Sequence, residues 1–516
     1  MPEFVENRGQ RIAKNTLMLY VRMLALLLVG LYTSRVVLAS LGETDFGIYN
    51  VVGGVVAMFS IISGSLNSAI SRFITFEMGK GANAELNKVY STAVTIQLIL
   101  ALVVIILAEP IGLWFIDNKM TIDPSRIPAA RMVLHLSLLS FAINLMSVPQ
   151  MASITAHEKM SAYAWIGILD GLMRLGVAFM IVQSPIDRLV YYALLMTLTV
   201  LIVRVCYGVY CRRHFRECRY KPVYDKILVK EMFSFAGWNF VGTTAGVLRD
   251  HGGNILVNLF YSPVVNAARG VALQLNNAIQ GFVTNFMVAV NPQITKSYAA
   301  GEHDYMFSLV RKSSRMSYYL LFVLALPVIF NVDYLLGLWL KDVPGHSPLF
   351  VVLFLVLALS ESFSNPIITA MLSTGNIRNY QLIVGGVLLM NLPISYAFLR
   401  AGAMPEVTVM VAIALSQICL FIRVYMLHKA TGFPMGRFLR RVYLSALFKV
   451  TPIALILPVA LKFIALEGFV GFLISFVVTF VSAVMAVVFV GLDKGERSQV
   501  YAMFSKISGK DDKDNR

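Results

Sequence analysis

Charge is scarce in this chain. Of 516 residues only 14% are charged, where soluble globular proteins carry about 25%. No polar stretch is long enough to form a soluble domain, which excludes a soluble multidomain enzyme. Cysteine is sparse too: the four, Cys206, Cys211, Cys218 and Cys419, imply no disulfide framework, and Cys211 with Cys218 lacks the second pair a zinc site needs. The phosphate loop GxxxxGK[ST] is missing, so ATP is not the direct energy source within the chain. His157-Glu158 is not followed by a His at 161, so the H-E-x-x-H metal motif is missing as well. No cofactor is expected beyond a coupling ion, Na+ or H+. The alternating strands of a membrane β-barrel are excluded by continuous apolar runs such as Leu24 to Val29.

What is abundant is apolar surface, at 58% of residues. A window about 20 residues wide, the length that crosses ~30 Å of hydrocarbon, finds about fourteen segments. They are 15–39, 46–76, 88–108, 130–150, 161–182, 186–210, 232–260, 265–290, 314–338, 347–372, 378–400, 405–428, 440–464 and 468–492. The expected fold is therefore an all-α polytopic membrane protein. Pro2 to Lys14 is polar and the following run is too long for a signal-peptide core, so the first segment is expected to stay as a helix. The formal net charge of +16 would raise nucleic acid as a partner in a soluble protein, but here the placement of the basic residues decides. Of the 44 Lys and Arg, 27 fall on one side of the spans, 5 on the other and 12 inside them. This bias predicts that both termini are cytoplasmic, with no nucleic-acid partner.

The chain also resembles itself. At an offset of 220, Ser71-Arg72-Phe73-Ile74-Thr75 falls on Asn291-Pro292-Gln293-Ile294-Thr295, and Gly79-Lys80-Gly81 on Ala299-Ala300-Gly301. The expected organisation is a tail (1–14), a six-helix bundle (15–210), a basic cytoplasmic linker (211–231), a second six-helix bundle (232–428), an appended helix pair (440–492) and a cytoplasmic tail (493–516). Six spans is an even number, so the two bundles form a parallel repeat about an axis normal to the membrane, with a cleft between them.

Charges inside spans cost roughly 2.5–3.5 kcal/mol each at the helix centre and need partners. On the seventh span, Asn239, Thr243, Gly246, Asp250 and Asn254 share one face, with Arg249 at its edge; on the eighth, Arg269, Asn276, Gln280, Thr284 and Asn291 do so. The second span carries a milder stripe of Gly53, Ser60, Gly64, Asn67 and Ser71, and the first places Asn15, Arg22 and Thr33 together. Such stripes serve either as packing glue between helices or as the wall of a substrate cavity. Asp170 and Arg174, at i,i+4, are expected to neutralise each other. Glu361, ahead of Asn365-Pro366 and a kink, is open to three roles: carrying a proton, binding sodium, or pairing with an Arg. Asp250 is the other candidate for ion coupling.

The N-terminal words Asn15-Thr16-Leu17, Arg35-Val36-Val37-Leu38 and Leu41-Gly42-Glu43-Thr44-Asp45-Phe46-Gly47-Ile48-Tyr49, together with the fourteen-span layout, resemble the polysaccharide transporter family. These are Wzx-like flippases of lipid-linked oligosaccharides, in the superfamily that also holds lipid II flippases and multidrug MATE exporters. The words cover about 65 residues and the topology covers the whole chain. The resemblance implies alternating-access movement of an isoprenoid-diphosphate-linked glycan, an O-antigen, capsule or exopolysaccharide unit, across the bacterial inner membrane. Glycan polymerase and glycosyltransferases of the same pathway are the expected partners, besides the bilayer itself. It also implies cavity arginines on the diphosphate, for which Arg22 and Arg269 are the first candidates and Arg249, Arg35 and Arg72 the next, the last two being open to snorkelling at span ends. Asn239, Asn254, Asn276 and Gln280 would suit sugar hydroxyls. Two alternatives stand beside this one. A MATE-type cation-coupled drug exporter is disfavoured because the first span carries Arg22 and Arg35 rather than an acid. A membrane glycosyltransferase or polymerase would need loop acids, for which only Glu43 with Asp45 offers itself, and Asp45 reads more simply as a helix cap.

Overall fold

The computed structural model describes the backbone of residues 2–57, 59–81, 84–120, 122–223, 225–340, 342–464, 468–493 and 495–497. Most of the expected tail from 493, Lys341 and the Glu43 side chain lie outside the described residues. Helices account for nearly everything described, and no strand occurs among these residues. In chain order they are α1 (Pro2–Ala57), α2 (Ser60–Gly79), α3 (Leu86–Asn118), α4 (Ile127–Ala156), α5 (Met160–Met180), α6 (Arg188–His214), α7 (Lys226–Phe260), α8 (Pro263–Ala299) and α9 (His303–Phe330). They continue as α10 (Val332–Trp339), α11 (Ser347–Ser362), α12 (Asn365–Ser373), α13 (Arg378–Leu389), α14 (Asn391–Arg400), α15 (Val407–Thr431), α16 (Met435–Phe438), α17 (Thr451–Lys462) and α18 (Gly468–Ala486).

Among the described residues eleven helical segments are long and apolar enough to cross a membrane. The three expected segments missing from that set are 46–76, 232–260 and 265–290, the ones that carry the most polar stripes. The first is divided between α1 and α2, and the other two are long helices interrupted by Arg249, Asp250, Arg269 and their amides. Length and apolarity alone therefore reach eleven, not fourteen. Leu28 (68% exposed), Ile106 (67%) and Ile255 (68%) face outward, as side chains do when the solvent is lipid. The chain is a multi-pass membrane protein.

Breaks in the helices follow their local chemistry. Gly42 sits in α1 at φ 79°, ψ 169°, a conformation open to glycine that separates the first span from the next. Asn365-Pro366 falls where α11 gives way to α12, since proline cannot donate the backbone bond that would continue the helix. Asp187 starts α6 by accepting from the Leu189 and Val190 amides. Asp45, expected to cap a helix, instead meets the Arg126 guanidinium (Nε to Oδ1 2.9 Å), which also reaches Asp187 (Nη1 to Oδ2 2.5 Å). An arginine offers two edges to carboxylates, and that pairing outcompetes a single backbone amide.

The chain divides into two compact units. Unit 1 comprises Met1–Thr244, Val288–His303 and Leu372–Leu382, and unit 2 comprises Ala245–Met287, Asp304–Met371 and Ile383–Arg516. In unit 1, α1 lies along α5, and α4 packs on α3 and α6. Gly171 makes the first of these approaches possible, because a Cβ there would stand 2.5 Å from Leu26 Cδ2. A core of Ile70, Ile74, Ala93, Ile96 and Ala152 joins α2, α3 and α4. In unit 2, α15 receives α11 and α14, and α17 pairs with α18. Tyr318 of α9 stacks on Phe363 at 4.5 Å between centroids. The backbone widens into π turns at Leu439–Tyr443 and Ala446–Val450.

The internal match has a structural counterpart within unit 1. Gly81 (φ 64°) and Gly301 (φ 74°), 220 positions apart, both adopt the left-handed conformation just after a helix, α2 and α8 respectively. The two matched segments also touch: a Cβ on Gly79 would lie 2.6 Å from Ala299 Cβ and from the Lys296 carbonyl.

Candidate functional site

In unit 1, Arg22 stands on α1 with its guanidinium 4.4 Å from the centre of the Tyr163 ring of α5. Its Nε is buried with no hydrogen-bond partner. Gly167 of α5 makes room for it, since a Cβ there would collide with that Nε. Among the described residues no carboxylate lies within ion-pair distance of Arg22. Asn239 on α7 is buried and its Oδ1 accepts from Gln381 Nε2 at 3.1 Å, with the bare Gly242 giving that amide its space. Arg72 does not reach for the end of its span. It donates to the Ser373 carbonyl (2.9 Å) beneath Phe73, Phe76 and Phe235, and Gly375, at φ 79°, is packed against it. Asp170 and Arg174 pair along α5 at 3.0 Å.

A second charged group of unit 1 lies at helix ends. Glu158, in the turn between α4 and α5 at φ 57°, is almost wholly buried. Its carboxylate takes Arg11 (2.7 Å), Lys296 (2.9 Å) and Gln293 (3.1 Å), and its carbonyl accepts from Asn15 Nδ2 (3.1 Å). Its neighbour His157 stacks on Phe215 and meets Glu217 at 3.0 Å. Nothing in the sequence singled out Glu158, because its partners lie more than 130 positions away and the residue reads as an ordinary loop acid.

Unit 2 holds the other candidates. Arg249, buried on α7, is clasped by two acids, Asp250 (Nε to Oδ1 2.9 Å) and Glu361 (Nη1 to Oε1 2.5 Å). Of the three roles open to Glu361, the pairing with an arginine is thus realised. Arg269 on α8 is 3% exposed and is met by neutral oxygens: Asn254 Oδ1 (2.6 Å), Thr408 Oγ1 (3.1 Å) and the Asp250 carbonyl (3.3 Å). Phe354 lies under its guanidinium at 5.0 Å. Gly253 lets it approach α7, since a Cβ there would be 2.5 Å from Nη2. No carboxylate of the described residues forms an ion pair with it. Asn276, two helical turns further along α8, is buried with Oδ1 unpartnered, and Gln280 is half-buried, its carbonyl accepting from Thr284. Neither amide bonds to the Arg269 group. Thr408 was not legible in advance, being one hydroxyl near the start of an apolar helix.

Among the described residues Arg22 and Arg269, like Arg72, therefore stand against aromatic rings with no carboxylate in an ion pair, while Arg249 is doubly paired. With eleven membrane-length helices among the described residues, this is the architecture of a multi-pass membrane protein. Solved structures share this fold: MATE in complex with MaD3S (TM-score 0.72, 11% identity, 82% of this chain and 97% of that one) and an outward-facing multidrug resistance MATE family transporter of the MOP superfamily (0.71, 11%, 82% and 96%). A MOP superfamily transporter from Pyrococcus furiosus, described as having a binding pocket of reversed polarity that suggests a different function, is also similar (0.65, 10%, 83% and 96%). No curated protein sequence matches the chain significantly. Residues 12–298 match the family described as polysaccharide biosynthesis protein, and the chain belongs to that family.

Proposed function

We propose that the protein is a flippase that carries an isoprenoid-diphosphate-linked oligosaccharide, an O-antigen, capsule or exopolysaccharide unit, from the inner to the outer leaflet of a bacterial inner membrane, with both termini cytoplasmic. The observation that carries this reading is the pair of uncompensated guanidiniums, Arg22 and Arg269. A buried arginine without an acid is costly, and a diphosphate supplies the missing charge with bidentate geometry. Arg22 retains an unused Nε donor, and Arg269 is held in place by neutral acceptors that leave its charge unneutralised.

Asn254, Asn276 and Gln280 in unit 2 and Asn239 in unit 1 are the amides assigned to sugar hydroxyls, and the unpartnered Asn276 Oδ1 supports that role. Asp250 and Glu361 are the acids through which a sodium or proton gradient would act, by competing with Arg249 for the same oxygens. The mechanism is alternating access, with the bundles 15–210 and 232–428 as the moving halves. The glycosyltransferases and glycan polymerase of the same pathway would hand over and receive the glycan.

A drug exporter is the second reading, favoured by the fold shared with multidrug MATE transporters. The polarity of the sites argues the other way, since a cationic drug gains nothing from an unpaired arginine. A deletion strain separates the readings. Fully built lipid-linked glycan retained on the inner leaflet supports the flippase, raised drug sensitivity with normal surface glycan supports the exporter, and truncated glycan points to a transferase.

A further inference from the structure

Unit 2 contains one buried carboxylate that the proposed transport cycle leaves unused. Glu406 is 2% exposed and stands immediately before α15. One of its oxygens, Oε1, is 2.7 Å from His346 Nδ1, on the residue that precedes α11. The other, Oε2, is buried with no hydrogen-bond partner at all. An ionised carboxylate in that position would have one oxygen stripped of water and given nothing in return, which is unfavourable unless a proton or cation arrives. The imidazole, by contrast, is 44% exposed, so the pair has one buried end and one wet end.

We infer that Glu406 and His346 form a proton-binding site, with His346 as the exposed entry group and the Glu406 carboxyl as the buried acceptor. The step is a simple transfer: a proton taken from solvent by His346 passes across the 2.7 Å contact to Oε1, leaving a neutral imidazole and a neutral carboxyl. The carboxyl O–H can rotate away from the ring, and Oε2 no longer carries an unsatisfied charge. His346 lies in a loop, and Glu406 at the start of a span, on the side that the Lys/Arg bias assigns to the exterior, so the protons would enter from that side.

The site is connected to the candidate cargo arginine. Arg269 Nη1 donates to Thr408 Oγ1, and that hydroxyl donates in turn to the carbonyl of Pro405, the residue bonded to Glu406. Neutralising Glu406 removes a negative charge at the N-terminus of α15, two residues from Thr408. Among the described residues, other charged or titratable groups on the elements that meet here include Asp342, four residues before His346, Arg269 on α8, Arg400 at the exposed end of α14, and Tyr261, whose hydroxyl donates to the Ala403 carbonyl at 2.6 Å. Among the described residues His346 alone touches the carboxylate. The link from proton to cargo rests on the proposed flippase reading; the proton site itself does not.

Infrared difference spectroscopy of the purified full-length protein in lipid vesicles, titrated from alkaline to acidic pH, tests the site without any substrate. The wild type is expected to give a protonated-carboxyl stretch that is lost in Glu406→Gln, is displaced in pH in His346→Gln, and persists in Asp250→Asn and Glu361→Gln. An unchanged carboxyl titration in Glu406→Gln overturns the proposal, as does a His346→Gln profile identical to wild type. His346 is surface-exposed, so that second variant is expected to fold even if the first does not. In cells, Glu406→Gln is expected to leave glycan delivery present but insensitive to the external pH. Loss of the infrared band together with normal pH dependence would refute the coupling while leaving the proton site standing, and no effect of deleting the gene on glycan would refute the flippase reading alone.

Discussion

In unit 1 the principal charged cluster is a buried acid ringed by cations and an amide, Glu158 with Arg11, Lys296 and Gln293, whereas in unit 2 it is a buried cation ringed by acids, Arg249 with Asp250 and Glu361. The first sits in the turn between α4 and α5 and ties it to α1 and α8. The second sits within a helix that the proposed topology places across the membrane. At a helix end the outer partners can turn to water, as the 52% exposure of Arg11 indicates, so the cluster pins chain termini at low risk. Within a span there is less water to turn to, so the polarity of the cluster must be set by its own members. The difference teaches that charge in this protein has two uses, fastening helix ends and poising mid-helix groups, and that the uncompensated Arg22 and Arg269 belong to neither.

The contrast is broken most strongly by removing a hub. Arg249→Met leaves Asp250 and Glu361 facing each other, and a loss of about 3 kcal/mol is expected from thermal denaturation in detergent. Adding Asp250→Asn and Glu361→Gln should recover most of it, because replacing a whole buried cluster is far cheaper than breaking one; a triple variant no more stable than the single one would show that the acids do not depend on Arg249. Glu158→Gln should cost less, about 1–2 kcal/mol, since Arg11 and Lys296 regain water. Equal losses in the two units would erase the distinction drawn between them.

The repeat allows a finer test. Gly81→Ala and Gly301→Ala should each destabilise by about 1 kcal/mol, because an L-residue is strained at positive φ. A cost at only one of the two would argue against structural equivalence of the matched segments. The smallest effect is electrostatic and lies at Asp187, just ahead of the membrane-length helix Arg188–His214. Burial alone would push the Asp187 carboxyl up, but the Arg126 guanidinium and the Val190 and Leu189 amides together hold it below the usual carboxylate range. A depressed folded-state pKa contributes stability above the unfolded value, about 3.9, and that contribution is lost as pH falls through the folded value. Asp187→Asn should therefore lower the melting temperature at neutral pH and lower it less at about pH 3, and a pH-independent difference would contradict the pairing.

Much of the fold was legible because apolar runs are local signals. Segments such as 88–108 fell inside helices, and the N-terminal words led to the right family. The expected count of fourteen exceeded the eleven found among the described residues for a physical reason: the polar stripes of 46–76, 232–260 and 265–290 lower their apolarity. Partners were not legible. Arg249 and Glu361 each called for a counter-charge, yet they are 112 positions apart and nothing in one sequence joins them. Glu158, His346 and Glu406 lie in turns, where an acid or imidazole is unremarkable until its burial is known.

The central claim is that Arg269 holds the charge of an anionic lipid-linked cargo. Its most direct test is the leaflet distribution of the lipid-linked glycan in a deletion strain carrying Arg269→Glu, with wild type and Arg269→Lys alongside and membrane protein levels matched. Losing a charge-assisted contact worth about 3 kcal/mol, roughly a hundredfold, should leave the glycan on the inner leaflet in Arg269→Glu, with partial delivery in Arg269→Lys. Normal glycan on the outer surface of the Arg269→Glu strain would contradict the claim.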